Sequence, residues 1–139
     1  MHILLQDILN ESLMNQSSAF SADRSKRTEN FRKLAAKLPQ KIQIAMIERF
    51  MKWKNEKVLY NVYNVVGQPQ FFSLELPQHY RAIAKYDNGY LIWFWCGSHE
   101  SYNREASVLA TKYAHISLTE EVGDDQVEDL FVAGALNLN

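Results

Sequence analysis

The most constraining feature of the sequence is the run Tyr90–Cys96, in which every residue is apolar. A strand that is apolar at both alternating sets of positions is covered on both of its faces. The run follows Asp87-Asn88-Gly89, and Asn-Gly favours the positive φ angles that a type I′ turn requires. Residues 80–86 then form the partner strand of a hairpin. We therefore expect a central strand over residues 90–96, packed on both sides.

The rest of the chain supplies helices first and strands afterwards. Helical spacing of apolar residues predicts an amphipathic helix within residues 3–14, a helix over 28–38 and a further helix that begins at Pro39. Residues 17–25 form a loop or a first short strand, and strands are predicted over 58–66 and 71–76. Two helices followed by three or four antiparallel strands indicate an α+β fold.

The size and composition of the chain fit one folded domain. A length of 139 residues suits a single core, and 47% hydrophobic residues exclude wholesale disorder. The single cysteine, Cys96, excludes an internal disulfide. The longest apolar run falls far short of the roughly 20 residues that cross a bilayer, and the N-terminus lacks the pattern of a secretory signal. We expect a cytoplasmic protein that does not bind membranes.

Charge is distributed unevenly along the chain, although the net charge is only −1. Residues 1–22 carry two acids and no Lys or Arg. Residues 23–104 carry 14 Lys and Arg against seven Asp and Glu, whereas residues 105–139 carry one Lys against seven acids. A basic body of this kind attracts polyanions such as nucleic acid. The alternative is a solvated surface with an acidic end.

Six side chains around the central strand carry the chemistry that the sequence offers. They are His79, Arg81, Lys85, His99, Tyr102 and Arg104. RNA cleavage through the 2′-hydroxyl needs a base for that hydroxyl, cations for the charged phosphorane and an acid for the 5′ oxygen. Histidine titrates near neutral pH and can serve as the acid or the base. Because Arg81 and Lys85 are four residues apart on one strand, we expect them to share a face and to converge with His99 at one rim of the sheet.

The cations also have a structural interpretation. Arg81 and Lys85 can simply pair with Glu75 or Asp87 across the strands. The Lys and Arg residues of the helices can form a solvated face, or they can contact an rRNA backbone or an acidic partner.

The cysteine and two of the tryptophans are expected to pack in the core rather than to take part in catalysis or in RNA binding. Cys96 suits a small core residue, and Trp93 and Trp95, two apart, are expected to share a strand face that packs inside. No Cys/His set has zinc spacing, and no glycine-rich phosphate loop occurs. We therefore expect no metal and no cofactor.

Two stretches carry a resemblance to a known family. They are His79-Tyr80-Arg81-Ala82-Ile83 and, after the hairpin, Trp93-Phe94-Trp95-Cys96-Gly97-Ser98-His99-Glu100-Ser101-Tyr102. They resemble the RelE/ParE/HigB superfamily of bacterial toxins, one branch of which ends in Tyr-Arg-Ala followed by Trp-x-Trp-x-Gly-Ser/Thr-His-x-x-Tyr. The resemblance covers roughly residues 28–104.

The resemblance implies a two-helix hairpin packed on a curved antiparallel sheet of three to five strands. This toxin domain would span residues 23–110, between an N-terminal helical extension (1–22) and an acidic C-terminal extension (111–139). Such toxins of type II toxin–antitoxin systems are held inactive by a cognate antitoxin. RelE-like and HigB-like members cut mRNA on the ribosome without a metal, whereas ParE-like members inhibit DNA gyrase. The predicted site then has His99, Tyr102 and Arg81 as catalytic residues and Lys85, His79 and Arg104 as substrate-binding residues.

Two features depart from the nuclease members of this superfamily. Their strand before Tyr-Arg-Ala often supplies an Arg to the scissile phosphate, whereas residues 71–76 here carry Glu75, which repels a phosphate unless a cation pairs with it. These toxins are also usually basic, and this chain is slightly acidic. Three functions follow: a ribosome-dependent mRNA endoribonuclease, a ParE-like or catalytically silent inhibitor of a protein target, and a non-toxic interaction module on the same fold.

The two ends of the chain suggest interactions rather than chemistry. Residues 116–131 mix acids with apolar residues, and we expect them to dock on the cationic face as a restraint or as an antitoxin-docking element. The N-terminal helix can serve homodimerisation or antitoxin binding, and the sequence leaves both open.

Overall fold

Residues 20–65 and 67–115, which the computed structural model describes, form five strands and two longer helices. The helices are α1 (Glu29–Ala36) and α2 (Gln40–Glu56). The strands are β1 (Ser25–Arg27), β2 (Val62–Val65), β3 (Gln68–Leu76), β4 (Tyr80–Asp87) and β5 (Tyr90–Ser98). The chain continues as α3 (His99–Ser101), a π-helical stretch (Tyr102–Ala106) and α4 (Ser107–Tyr113), together called the C-terminal helical segment.

This architecture confirms the α+β class and the helical hairpin on a sheet. The predicted N-terminal helix within residues 3–14 and the acidic segment over residues 116–131 lie outside the described residues. The division at residues 22 and 110 stays a prediction. The last described helix, α4, runs across the second of these positions to Tyr113.

The helical hairpin is fixed by a cap and by a side chain that bonds to the turn. The Thr28 hydroxyl accepts a hydrogen bond from the Phe31 amide at 3.1 Å, which satisfies one of the unpaired N–H groups at the start of α1. Pro39 stands one residue before α2, and Gln43 Nε2 donates to the Leu38 carbonyl at 2.8 Å. The buried apolar residues of α2 are Ile42, Met46, Phe50 and Trp53.

The sheet has the strand order β1-β5-β4-β3-β2, with β5 and β4 at its centre. The pairs β2–β3, β3–β4 and β4–β5 are antiparallel, whereas β1 pairs with β5 in parallel. The turn between β4 and β5 has positive φ at Asn88 (51°) and Gly89 (83°), as the Asn-Gly pair predicts for a type I′ turn. The strand expected over residues 58–66 is shorter and begins at Val62.

A β-bulge in β5 distributes its aromatic residues over both faces of the sheet. Ala84 pairs with Trp93 and Ile83 with Trp95, so Phe94 is an extra residue on β5. Trp93 therefore packs in the core beneath the helical hairpin, whereas Trp95 packs on the opposite face. The expectation that the two tryptophans share a face is wrong, because the inserted residue shifts the alternation by one position.

The C-terminal helical segment covers the face of the sheet that the hairpin leaves open. The Phe94 ring lies edge-on to Phe71 (5.7 Å between centroids) and to Tyr113 (5.2 Å). Ala106 and Ala110 are buried in the same cluster. The two-sided packing expected of the central strand is therefore present, with a core on each face.

Lys85 is enclosed by this second core. It is 5% exposed, and its ammonium donates a hydrogen bond to the Tyr113 carbonyl at 2.7 Å. This bond joins the end of α4 to the centre of the sheet. It also stabilises the buried lysine, because an unpaired buried ammonium would be strongly unfavourable.

We expect the substitution Lys85→Ala to lower the free energy of unfolding by about 2–3 kcal/mol, since it removes a charged hydrogen bond and leaves the Tyr113 carbonyl without this donor. Urea denaturation followed by circular dichroism measures the change. The matched variant Lys41→Ala, at an exposed position of α2, should change the stability by no more than about 0.5 kcal/mol. Equal stability of Lys85→Ala and wild type would contradict the structural role of this lysine.

Candidate functional site

Arg81 is at the centre of a small cluster at one end of the sheet. In the strand register Arg81 lies between Glu75 on β3 and Gly97 on β5. Its terminal nitrogen is 3.4 Å from Glu75 Oε1, and its guanidinium carbon is 4.9 Å from the centre of the Tyr102 ring. The Arg81 side chain is 18% exposed, so solvent reaches the cluster from one side.

The surroundings of Arg81 hold its guanidinium in place but leave part of its bonding capacity unused. Glu75 is itself held by the Ser73 hydroxyl, which donates to Glu75 Oε2 at 3.1 Å. The Nε atom of Arg81 is buried and has no hydrogen-bond acceptor among the described residues. A guanidinium has five N–H donors in a planar fork that suits a phosphate. Arg81 is therefore a cation paired with the carboxylate of Glu75, and an oxyanion such as a phosphate could take the place of that carboxylate.

Tyr102 is positioned by the second core. Its ring lies edge-on to Trp95 at 6.1 Å between centroids, and Trp95 Nε1 is 3.4 Å from Glu105 Oε1. A Cβ atom added to Gly97 would come within 2.8 Å of the Trp95 ring, so this glycine lets the indole lie flat over β5. Trp95 thus fixes Tyr102, and Tyr102 in turn lies against Arg81.

The two candidate histidines flank the last residue pair of the β4–β5 ladder. Tyr80 pairs with Ser98, His79 precedes Tyr80, and His99 follows Ser98. Both histidines are exposed, and His79 has a positive φ of 65° in the turn that enters β4. His99 begins the C-terminal helical segment, whose start is capped by the Ser98 hydroxyl. His79, His99 and Arg81 are therefore on neighbouring positions at the same end of the sheet.

Lys85 and Arg104 lie apart from this cluster. Lys85 shares the strand face of Arg81, as predicted, but α4 covers it and the Tyr113 carbonyl binds its ammonium. Arg104 is exposed and stands two residues after Tyr102 in the π-helical stretch, a spacing that puts two side chains on different sides of a helix. The structure thus brings Tyr102 to Arg81 and places His79 and His99 at backbone positions beside the last pair of the β4–β5 ladder, and it does not bring Lys85 or Arg104 to Arg81.

An open groove of about 240 Å³ lies at the end of β5, and Arg81, Glu75 and Tyr102 are not among the residues that line it. It runs between the turn that joins α1 to α2 and the end of β5, and Tyr80, Trp95 and Ser98 contribute to its walls. The parallel strand β1 pairs with Leu91 to Trp93, so within residues 20–65 and 67–115 no strand neighbours this end of β5 on the groove side.

Two features that support the cluster could not be foreseen from the sequence. The Ser73–Glu75 bond and the support of Tyr102 by Trp95 depend on contacts that sequence does not display. The helical segment itself had a signal, because Tyr102, Ala106, Ala110 and Tyr113 recur at helical spacing behind the Ser98 cap.

The cluster has no metal-binding set of side chains. Within residues 20–65 and 67–115, no group of three or more His, Cys, Asp or Glu residues is placed to hold a metal ion. Cys96 is buried, and burial raises the pKa of its thiol far above neutrality, so it is not a thiolate nucleophile. In the same part of the chain, no helix is both long and apolar enough to span a bilayer.

Comparison with known proteins bears on the fold. No family model and no curated protein matches the chain. A solved structure described as the RelB–RelE antitoxin–toxin complex from Methanococcus jannaschii is similar to it, with a TM-score of 0.50 and 12% sequence identity. The match covers 57% of this chain and 95% of the other. The likeness at this identity concerns architecture, and the described residues have a RelE-like α+β fold.

Proposed function

We propose that this chain is the toxin of a type II toxin–antitoxin pair and that it cleaves mRNA on the ribosome without a metal ion. The single observation that carries the proposal is the Arg81 cluster, a cation and two histidines at one end of a RelE-like sheet. Fold alone does not specify an activity, so the site residues must support the reaction.

The proposed reaction needs a base, an acid and a cation, which the histidines, Tyr102 and Arg81 supply. His99 removes the proton of a ribose 2′-hydroxyl, whose oxygen attacks the adjacent phosphorus and forms a 2′,3′-cyclic phosphate. The bond from phosphorus to the 5′ oxygen breaks, and His79 or Tyr102 supplies the proton of the 5′-hydroxyl product. Arg81 stabilises the charged phosphorane, where positioned cations contribute most to catalysis.

The ion pair between Arg81 and Glu75 sets a condition on this reaction. A phosphate that approaches Arg81 must displace Glu75 or neutralise its charge, because two anions on one guanidinium repel each other. The Glu75 side chain is 41% exposed and can rotate into solvent. Arg81 then exchanges a carboxylate for a phosphate and remains stacked on Tyr102.

The partners follow from this proposal. The similar solved structure is described as an antitoxin–toxin complex, and we propose that this chain likewise has a protein antitoxin that suppresses its activity. The positive charge of the described residues, which contain all 15 Lys and Arg of the chain, suits contacts to an rRNA or mRNA backbone. Arg104, exposed in the π-helical stretch, is proposed to contact RNA outside the scissile phosphate, and an mRNA substrate requires a cytoplasmic location.

The same ion pair favours a second candidate function. A guanidinium neutralised by Glu75 suits a member of the fold that inhibits a protein target such as DNA gyrase, or a non-toxic interaction module. Induction of the chain in a bacterium separates the candidates. Translation arrest with new mRNA 5′ ends supports the nuclease, a DNA-damage response supports the gyrase-type inhibitor, and normal growth supports the interaction module.

We expect Arg81→Gln to lower the mRNA cleavage rate by about 10²–10³-fold, because it removes the cation from the phosphorane. Cleavage is measured as the rate at which new mRNA 5′ ends form on translating ribosomes. The matched variant Arg32→Gln, on the outer side of α1 where Arg32 pairs with Glu29, should cleave at the wild-type rate. Wild-type cleavage by a folded Arg81→Gln protein would refute the assigned role.

The substitution His99→Ala is expected to reduce the same rate by about 10²–10⁴-fold through loss of the general base. His115→Ala provides a matched control, since His115 is also exposed but follows α4 at the far end of the C-terminal helical segment. Thermal unfolding should be the same for both variants, because neither imidazole is buried. Equal cleavage by the two variants would exclude His99 from the chemistry.

A further inference from the structure

An apolar stripe on the outside of α2 is exposed at two of its three residues. Ile44 and Met51 are 42% and 36% exposed, although most apolar residues of this helix are buried. Half-buried Ile47 lies between them, and the spacing of three and four residues places all three on one side of the helix. Ile44, Ile47 and Met51 are called the α2 stripe. Ile44 and Met51 face away from the buried side of the helix, which Ile42, Met46, Phe50 and Trp53 form, whereas Ile47 lies at the border and also packs against the core.

The chain enters the described structure close to this helix. Phe20 is buried against Phe72, with 4.9 Å between the ring centroids, and its carbonyl accepts a hydrogen bond from Trp53 Nε1 at 3.2 Å. Trp53 belongs to the last turn of α2, so the described part of the chain begins, at Phe20, beside the C-terminal end of that helix. Ile44 is nine residues before Trp53, an axial distance of about 14 Å.

The length of residues 1–19 matches the distance to the stripe. Five extended residues, 15–19, span up to about 17 Å, which is enough to pass from Phe20 to the outer side of α2. The amphipathic helix predicted over residues 3–14 would be about 18 Å long and would run past all three residues of the stripe. Its apolar residues, Ile3, Leu4, Leu5, Ile8, Leu9, Leu13 and Met14, need a surface to bury them.

Charge complements this geometry. Residues 1–19 contain Asp7 and Glu11, four apart, and no Lys or Arg. Residues 40–57 contain five Lys and Arg against two Glu, and Lys41 is exposed on the helix that carries the stripe. An acidic amphipathic segment is therefore the occupant that this surface suits.

We propose that residues 1–19 dock on the α2 stripe of the same chain. The contact buries Ile44 and Met51 under the leucines and isoleucines of the segment and places Asp7 and Glu11 beside the lysines of α2. Docking needs no RNA and no antitoxin, and it stands apart from the proposed function. With this contact, the apolar face of the predicted N-terminal helix is buried without homodimerisation and without an antitoxin, the two roles that the sequence left open.

Hydrogen–deuterium exchange on the full chain at low micromolar concentration tests the docking. A helix of 12 residues is marginal in water by itself, so protection of amides 3–14 requires a tertiary contact. We expect these amides to exchange at least about tenfold more slowly than in an unfolded peptide, and to lose this protection in the double variant Ile44→Glu, Met51→Glu. The matched variant Val108→Glu replaces an apolar residue that is 63% exposed on α4 and should leave the protection unchanged.

A second variant tests whether the loss of protection comes from undocking of residues 1–19 or from a general destabilisation of α2. Ile8→Glu alters only the docking segment and should remove the protection of its neighbours, while the exchange of α2 amides within the buried turns stays as in wild type. Absence of protection in wild type would overturn the proposal, as would protection that survives Ile44→Glu, Met51→Glu. Protection that rises with protein concentration, together with a dimer mass in light scattering, would also overturn it and would assign the stripe to a second copy.

Discussion

The β-bulge at Phe94 is the constraint on which the rest of the structure depends. One extra residue in β5 sends Trp93 to the hairpin side of the sheet, and it leaves both Phe94 and Trp95 on the opposite side. If these two adjacent aromatic residues were exposed to water, the fold would lose the favourable free energy of burying them. The C-terminal helical segment covers them, and Tyr113 packs directly on Phe94.

The candidate site is a consequence of that second core. Trp95 packs over Gly97 and meets the edge of Tyr102, whose ring lies against the Arg81 guanidinium. The contact with Tyr102 limits the rotamers of Arg81, so its cation is held at the rim of the sheet beside Glu75. Ground-state pairing with Glu75 also keeps the buried part of this charge compensated when no substrate is present.

Much of the fold is encoded locally and could be predicted. The Asn88-Gly89 turn and the helix boundary at Pro39 follow from backbone preferences of single residues. The bulge could not be predicted, because residues 91–96 are all apolar and an inserted residue leaves no break in the pattern. For the candidate site, the proximity of Arg81 to the end of β5 was predicted from the pairing of the hairpin. The burial of Lys85 was not predicted, because it depends on α4, and no helix was expected there.

The central claim is that Glu75 occupies Arg81 until a phosphate replaces it. Equilibrium binding of a 2′-O-methyl RNA, which cannot be cleaved through the 2′ oxygen, tests this claim with Glu75→Gln and with Glu48→Gln on the exposed side of α2 as control. We expect about fivefold tighter binding for Glu75→Gln, no change for Glu48→Gln, and no gain once Arg81 is also replaced by Gln. Unchanged or weaker binding by Glu75→Gln, or a gain that persists without Arg81, would contradict it.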